Sequence, residues 1–187
     1  MNIAEVKKLI RAACDAIEQP QVYIIGSQAI HAAILDHRVP SSVSRSREVD
    51  MFPAVDDALG TVAARLEALT GVLSDLDDEL GVYVDTVDPD TGSRPHGWKD
   101  RVIPLAADGE PPAVGLCLEP NDLCVSKLAA HRDQDFEFVA EVLALGIADT
   151  RTIRRRMGGT TMPAPIRHHV RDWLDAYDQS GGWGPTA

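Results

Sequence analysis

Glu48 and Asp50 stand two residues apart in Glu-Val-Asp-Met-Phe, a segment whose apolar alternation reads as a strand. Same-face neighbours on a strand lie roughly 6.5 to 7 Å apart, close enough for both carboxylates to converge on one Mg²⁺ or to bridge a pair. Upstream, the apolar run Val22, Tyr23, Ile24 and Ile25 is halted by Gly26-Ser27, ahead of a stretch with Ile30, Ala33 and Ile34 at helical spacing. A strand, a glycine without a Cβ, a hydroxyl and the amides of a helix start together suit a triphosphate lying against the backbone. Arg45 and Arg47, just ahead of Glu48, can bring a guanidinium to that triphosphate, or can belong to a solvated loop. Asp85 interrupts the β-branched run Val82 to Val87, which is uncomfortable unless one face of the sheet is wet or charged. The plainer reading of Glu48 and Asp50 is a strand end with solvated acids beside an ordinary strand-to-helix turn.

These residues need a sheet to hold them. A first helix follows the capping-box pair Asn2 and Glu5, with Val6, Leu9, Ile10, Ala13, Cys14 and Ile17 as its apolar stripe. The spacing predicts a second helix over 27–35, capped by Ser27, and a polar loop over 36–47 around Pro40. A core helix is expected over 58–69, with Leu59, Val62, Ala63, Leu66 and Leu69 on one face and Gly71 as its stop. After an acidic helical connector over 72–80 comes the strand 82–87. Residues 88–101 form a Gly- and Pro-rich loop whose Trp98 either stacks on a base or, as we prefer, plugs the core edge. Strands over 101–105 and 112–118, joined by Ala-Asp-Gly-Glu, read as a hairpin at the sheet edge. From Glu119 the pattern is helical: Pro120 opens a helical segment up to Gly146, Thr150 caps a short arginine-rich helix, and Pro163 or Pro165 starts a last one. Gly181 to Ala187 reads as a frayed tail. The chain thus divides into an α/β core over 1–118 and a helical region over 119–187, packed as one unit.

Gly-Ser, then an acid, one spacer and Asp, resembles the signature of the nucleotidyltransferase superfamily, with Glu48 where that pattern has Asp and a longer gap after Gly-Ser. Pro120-x-Asp122-Leu123-x-x-x-Lys127-Leu128, followed by Arg132 and by Asp135-Phe136, is similar to the C-terminal motifs of the AbiEii and MenT-type nucleotidyltransferase toxins, in the same order over residues 20–145. The resemblance implies an α/β (α+β) fold, with a nucleotidyltransferase-like mixed sheet flanked by helices and a C-terminal helical part. It implies Mg²⁺ held by Glu48, Asp50 and Asp85, with Asp85 the third carboxylate if its strand neighbours theirs. It gives Lys127 and Asp135 a place in the nucleotide site beside Gly26 and Ser27. An NTP as donor, an RNA end, tRNA above all, as acceptor, and a cognate antitoxin protein as partner follow from the same likeness. Protein or small-molecule nucleotidylation and a catalytically silent binding module are the alternatives. Read without the likeness, Lys127 and Asp135 are also ordinary charged positions on amphipathic helices.

Composition sets outer limits. At 187 residues and 44% hydrophobic the chain can bury one sizeable core. No apolar run reaches the length of a membrane span and the first residues lack a signal-peptide layout, so the cytosol is the expected location and no membrane partner is expected. Cys14, Cys117 and Cys124 lack a Cys-x-x-Cys pair and read as reduced packing residues. A net charge of −11 argues against unspecific coating of nucleic acid. Six of the 18 basic residues nevertheless fall within 151–171, where Arg151 and Arg155, and Arg167 and Arg171, are each four apart and are expected to offer two outward pairs to RNA. Pairing with the chain's own 29 acids is the competing reading.

Overall fold

The computed structural model describes residues 1–34 and 39–181. The expected end of the second helix at Leu35, the loop residues 36–38 and the tail over 182–187 lie outside the described residues. Helix α1 (Ile3–Ile17) has the expected capping box: Asn2 Oδ1 accepts from the amides of Ala4 and Glu5, and Glu5 accepts from the Asn2 amide at 2.7 Å. Five strands follow among the described residues, β1 (Gln21–Ile24), β2 (Glu48–Pro53), β3 (Tyr83–Thr86), β4 (Ile103–Ala106) and β5 (Val114–Cys117), in the spatial order β3-β2-β1-β5-β4. The pairs β2–β3 and β1–β5 are parallel, while β1–β2 and β4–β5 are antiparallel, so the sheet is mixed.

One face of this sheet is dry. Val22, Ile24, Val49, Met51 and Val84 are wholly buried, and α1 lies so close that a Cβ on Gly115 would meet Ile24 and Ile10 within 2.8 Å. Helices α3 (Thr61–Thr70) and α4 (Asp75–Leu80) extend this side. The helical part consists of α5 (Pro120–Ala130), α6 (Asp133–Ala144), α7 (Thr150–Met157) and α8 (Ala164–Gln179), and its Leu123, Leu128, Val139, Ile153 and Leu174 join the same hydrophobic cluster as the sheet. Cys14, Cys117 and Cys124 are buried thiols, and burial pushes Cys117 up to about 12.

Several local expectations needed correction. Residues Ser27–Ala32 form a 3₁₀ helix in place of an α-helix, with Gly26 at the cap position and no side-chain cap from Ser27. Its four consecutive buried residues, Gln28 to His31, demand packing on every side, and Gln28 donates to the Val43 carbonyl at 2.9 Å. The polar loop contains a short helix α2 (Ser41–Arg45), anchored by the buried Val43. Its last carbonyls are satisfied by the Met1 ammonium, which donates to Val43, Ser44 and Ser46. The expected core face of α3 is narrower than its stripe: Leu66 and Thr70 are buried and Val62 packs half-buried against the core. Leu59 precedes the Gly60 cap and is 88% exposed, and Leu69 is 51% exposed. Helix α7 is capped by Asp149, which accepts from Thr152 N at 2.8 Å, and not by Thr150. The helical run after Glu119 breaks at His131, whose left-handed backbone ends α5 and turns the chain into α6.

Candidate active site

The acids come from two adjacent parallel strands. Registry places Glu48 beside Tyr83 and Asp50 beside Asp85, with Val49 and Val84 turned to the dry face, so all three carboxylates share the other face. Tyr83 donates its phenolic hydrogen to Glu48 at 3.0 Å. Burial raises Asp50 above the usual carboxylate range; Lys127 opposes the shift, and Asp85 and Glu48 reinforce it. Burial also raises Asp85, with Glu48 and Glu67 adding to it. Gly26 is explained by Asp50: a Cβ there would sit 1.5 Å from Asp50 Oδ2. The space left by its missing Cβ is filled by a carboxylate of its own sheet, and Gly26 itself lines the cleft beside Asp50. Ser27 lies half-buried at the first position of the 3₁₀ helix.

Facing the acids is the corner between α5 and α6. Asp135 is 1% exposed and is held by Arg132 at 2.7 and 3.2 Å and by Lys127 Nζ at 3.2 Å. Lys127 Nζ also lies 5.6 Å from the centre of the Phe138 ring. The hydrogen bond to Asp135 raises Arg132 further, and Asp50 contributes to its field. Between the two walls lies a cleft of about 330 Å³ whose charged lining is Asp50, Arg94, Lys127 and Arg132. Asp135 thus orients the two cations from behind. Sequence reasoning had placed Lys127 and Asp135 in the site but missed Arg94, which a loop delivers, and gave Arg132 no role although it stood in the motif.

Among the described residues, no group of three or more His, Cys, Asp or Glu side chains is arranged so that it could hold a metal ion. The donor chemistry of Glu48, Asp50 and Asp85 still fits a hard cation: all are oxygen ligands on one face, and their mutual repulsion is what a bound cation relieves.

The other expected site residues are elsewhere. Arg47 ties β2 to α4 by donating to Gly81 O at 2.7 Å and Asp77 at 2.9 Å, and Arg45 is exposed on the last turn of α2, so neither lines the cleft. The arginine run is not uniformly exposed. Arg154 pairs with Asp175 and Asp178 at 2.8 and 2.9 Å, and Arg156 pairs with Glu119 and Asp122. Arg167 does not point outward as one of a pair: it donates to the carbonyls of Met157 and Thr160, satisfying the end of α7. Arg151, Arg155 and Arg171 are exposed, with Arg155 reaching Thr152 at 3.3 Å. Trp98 does plug the core edge, with its ring 5.2 Å from Tyr23 and 6.3 Å from Phe52.

No described helix is long and apolar enough to cross a membrane. No curated protein and no solved structure matches the sequence. The family described as nucleotidyltransferase of unknown function (DUF6036) matches residues 1–178, nearly the whole chain, and the protein belongs to that family.

Proposed function

We propose that the chain is a Mg²⁺-dependent enzyme that moves a nucleotide from an NTP to an acceptor hydroxyl. The observation that carries this reading is the facing of Asp50, which is paired in register with Asp85, by Lys127 and Arg132 across one cleft. Held by Glu48, Asp50 and Asp85, magnesium would neutralise the α-phosphate and the leaving pyrophosphate. Lys127, fixed by Asp135, supplies a point charge to the donor phosphates. Asp85, whose proton affinity burial and Glu48 both raise, is the carboxylate suited to take the proton of the acceptor hydroxyl. The new bond joins that oxygen to the α-phosphorus, the α–β anhydride breaks, and pyrophosphate leaves.

For the acceptor we infer an RNA end, tRNA first, with the enzyme acting as the toxin of a toxin-antitoxin pair restrained by a cognate antitoxin. This rests on the likeness of the Lys127 and Asp135 motifs to AbiEii and MenT-type toxins and on the exposure of Arg151, Arg155 and Arg171. A second reading, transfer to a protein or small hydroxylated molecule, is favoured by the engagement of Arg154, Arg156 and Arg167 within the protein. The test is incubation with each labelled NTP, Mg²⁺, total cellular RNA and cellular protein. Label on RNA supports the first acceptor, and label on protein or small molecules supports the second. No transfer from any NTP with any acceptor overturns the enzymatic reading and leaves a binding module.

A further inference from the structure

The loop between β3 and the Trp98 turn lines the cleft with Val87, Thr91, Gly92 and Arg94, of which Arg94 alone is charged. Arg94 donates to the carbonyls of Pro89 and Thr91, and its guanidinium carbon lies 5.0 Å from the centre of the Trp98 ring. Both terminal nitrogens are therefore oriented by the loop's own backbone. The loop is itself pinned to the helical part, where His96 N donates to Gly159 O at 3.0 Å and Arg101 binds Asp122 at 2.8 and 3.1 Å. So anchored, Arg94 faces Lys127 and Arg132 in the same cleft, and burial lowers its pKa.

Two polar atoms in this lining lack partners. Arg94 Nε and Ser126 Oγ are buried and have no hydrogen-bond partner among the described residues. Buried polar groups are almost always satisfied, and two orphans on residues that line one cleft mark a missing partner. The charges name its class. In a chain with a net charge of −11, the cleft lining sets three cations, Arg94, Lys127 and Arg132, against Asp50, with Asp135 behind two of them. That inversion suits a compact ligand with several negative charges, and the two orphans add a donor from a guanidinium and a hydroxyl that can donate or accept.

We propose that Arg94 and Ser126 bind the polyphosphate chain of the donor, which makes the loop over 88–101 one wall of the phosphate site opposite α5. The inference deepens the donor reading given above and rests on it. Arg94 acts there as a rigid fork, pre-set by Trp98 and two carbonyls, and Ser126 hydrogen-bonds a phosphate oxygen beside Lys127.

Ser126 supplies a test whose two readouts move in opposite directions. Without ligand, Ser126→Ala removes a buried unsatisfied hydroxyl, so the melting temperature should stay level or rise. Affinity for inorganic tripolyphosphate, measured by calorimetry on the full chain with and without Mg²⁺, should fall about threefold. Arg94→Met keeps an apolar contact with Trp98 but loses the charge, and should weaken tripolyphosphate and all four NTPs alike by about tenfold or more. If Arg94→Met does not fold, the Ser126→Ala result decides. Unchanged affinity in the folded variants, or a lower melting temperature for Ser126→Ala with unchanged affinity, overturns the inference. Wild-type protein that does not bind tripolyphosphate overturns it as well. Tripolyphosphate bound through these residues by a protein that transfers no nucleotide would instead uphold the phosphate wall and overturn the enzymatic reading.

Discussion

On the sheet side of the cleft, Asp50 and Asp85 face each other in register with Glu48 alongside; on the helix side, Asp135 is gripped by Lys127 and Arg132. The first wall gathers like charges on one wet face, and burial and repulsion raise the proton affinities of Asp50 and Asp85. The second sets one buried carboxylate between two cations, and its geometry is complete without a ligand. Negative charge left uncompensated is a place for a cation to act, whereas cations held from behind by their own counter-ion are fixed in position for an anion arriving from the front. The acid wall should therefore govern turnover, and the helix wall should govern both stability and donor binding.

The largest effect is expected on the acid wall. Asp50→Ala should reduce nucleotide transfer by about a thousandfold or more, with circular dichroism and the melting transition preserved. Glu48→Asp should keep part of the activity, because the shorter acid still presents an oxygen on the same face. Full turnover in folded Asp50→Ala protein would remove the acid wall from the chemistry.

The helix wall should break differently. Asp135→Asn leaves Lys127 and Arg132 without their counter-ion, and urea unfolding at pH 7 should show a loss of about 2 to 3 kcal/mol. Arg132 is 59% exposed and water compensates part of its loss, which keeps the figure below that of a fully buried pair. Lys127→Ala should weaken NTP use while leaving the carboxylates in place. A loss of stability below about 0.5 kcal/mol for Asp135→Asn would show that the two cations are positioned by other contacts.

A smaller effect, of opposite sign, belongs to Asp50 as a stability element. Its folded-state pKa lies above its unfolded value, so its proton stabilises the fold fully below the unfolded value, and that stabilisation is lost as pH rises through the raised folded value. In EDTA, Asp50→Asn should therefore melt above the wild type at pH 7, with the advantage shrinking as pH falls towards the ordinary carboxylate range. A variant less stable than the wild type at pH 7 would mean that Lys127 more than compensates the ionised carboxylate.

Part of the acid wall was legible because a strand has a period of two: Glu48 and Asp50 could be assigned to one face from spacing alone, whereas the place of Asp85 beside them depended on the parallel β2–β3 pairing. Gly26 was noticed for the right reason, an absent Cβ, but the occupant of its space was a side chain 24 residues further on, which local spacing does not encode. Arg94 and Ser126 were invisible for the same reason. Helical periodicity also overstated α3, since Leu59 and Leu69 match the stripe but are exposed, while Val62, Leu66 and Thr70 pack inward. Arginine spacing identified sides of a helix but not the acids waiting there: Asp175 and Asp178 for Arg154, and Glu119 and Asp122 for Arg156.

Those internal pairs sharpen the last and smallest expectation, which concerns the back of the molecule. Arg154, Arg156 and Arg167 are spent on carboxylates and carbonyls, so an RNA acceptor has Arg151, Arg155 and Arg171 to meet in this segment. Arg151 and Arg155 are four apart on α7 and share a side, whereas Arg171 belongs to α8. Three phosphate contacts on a single strand would contribute about −2 to the slope of log affinity against log salt. Replacing all three by Glu should therefore weaken RNA binding and flatten that slope by about 2, leave tripolyphosphate binding unchanged, and move stability by no more than about 0.5 kcal/mol. Arg156→Ala is the control of opposite character: it should lower stability, because it uncovers Glu119 and the buried Asp122, yet leave the salt slope alone. RNA affinity that survives the triple charge reversal would assign acceptor choice to another surface and favour transfer to a protein or a small hydroxylated molecule, with Arg151, Arg155 and Arg171 serving only as solvated charges on an acidic body.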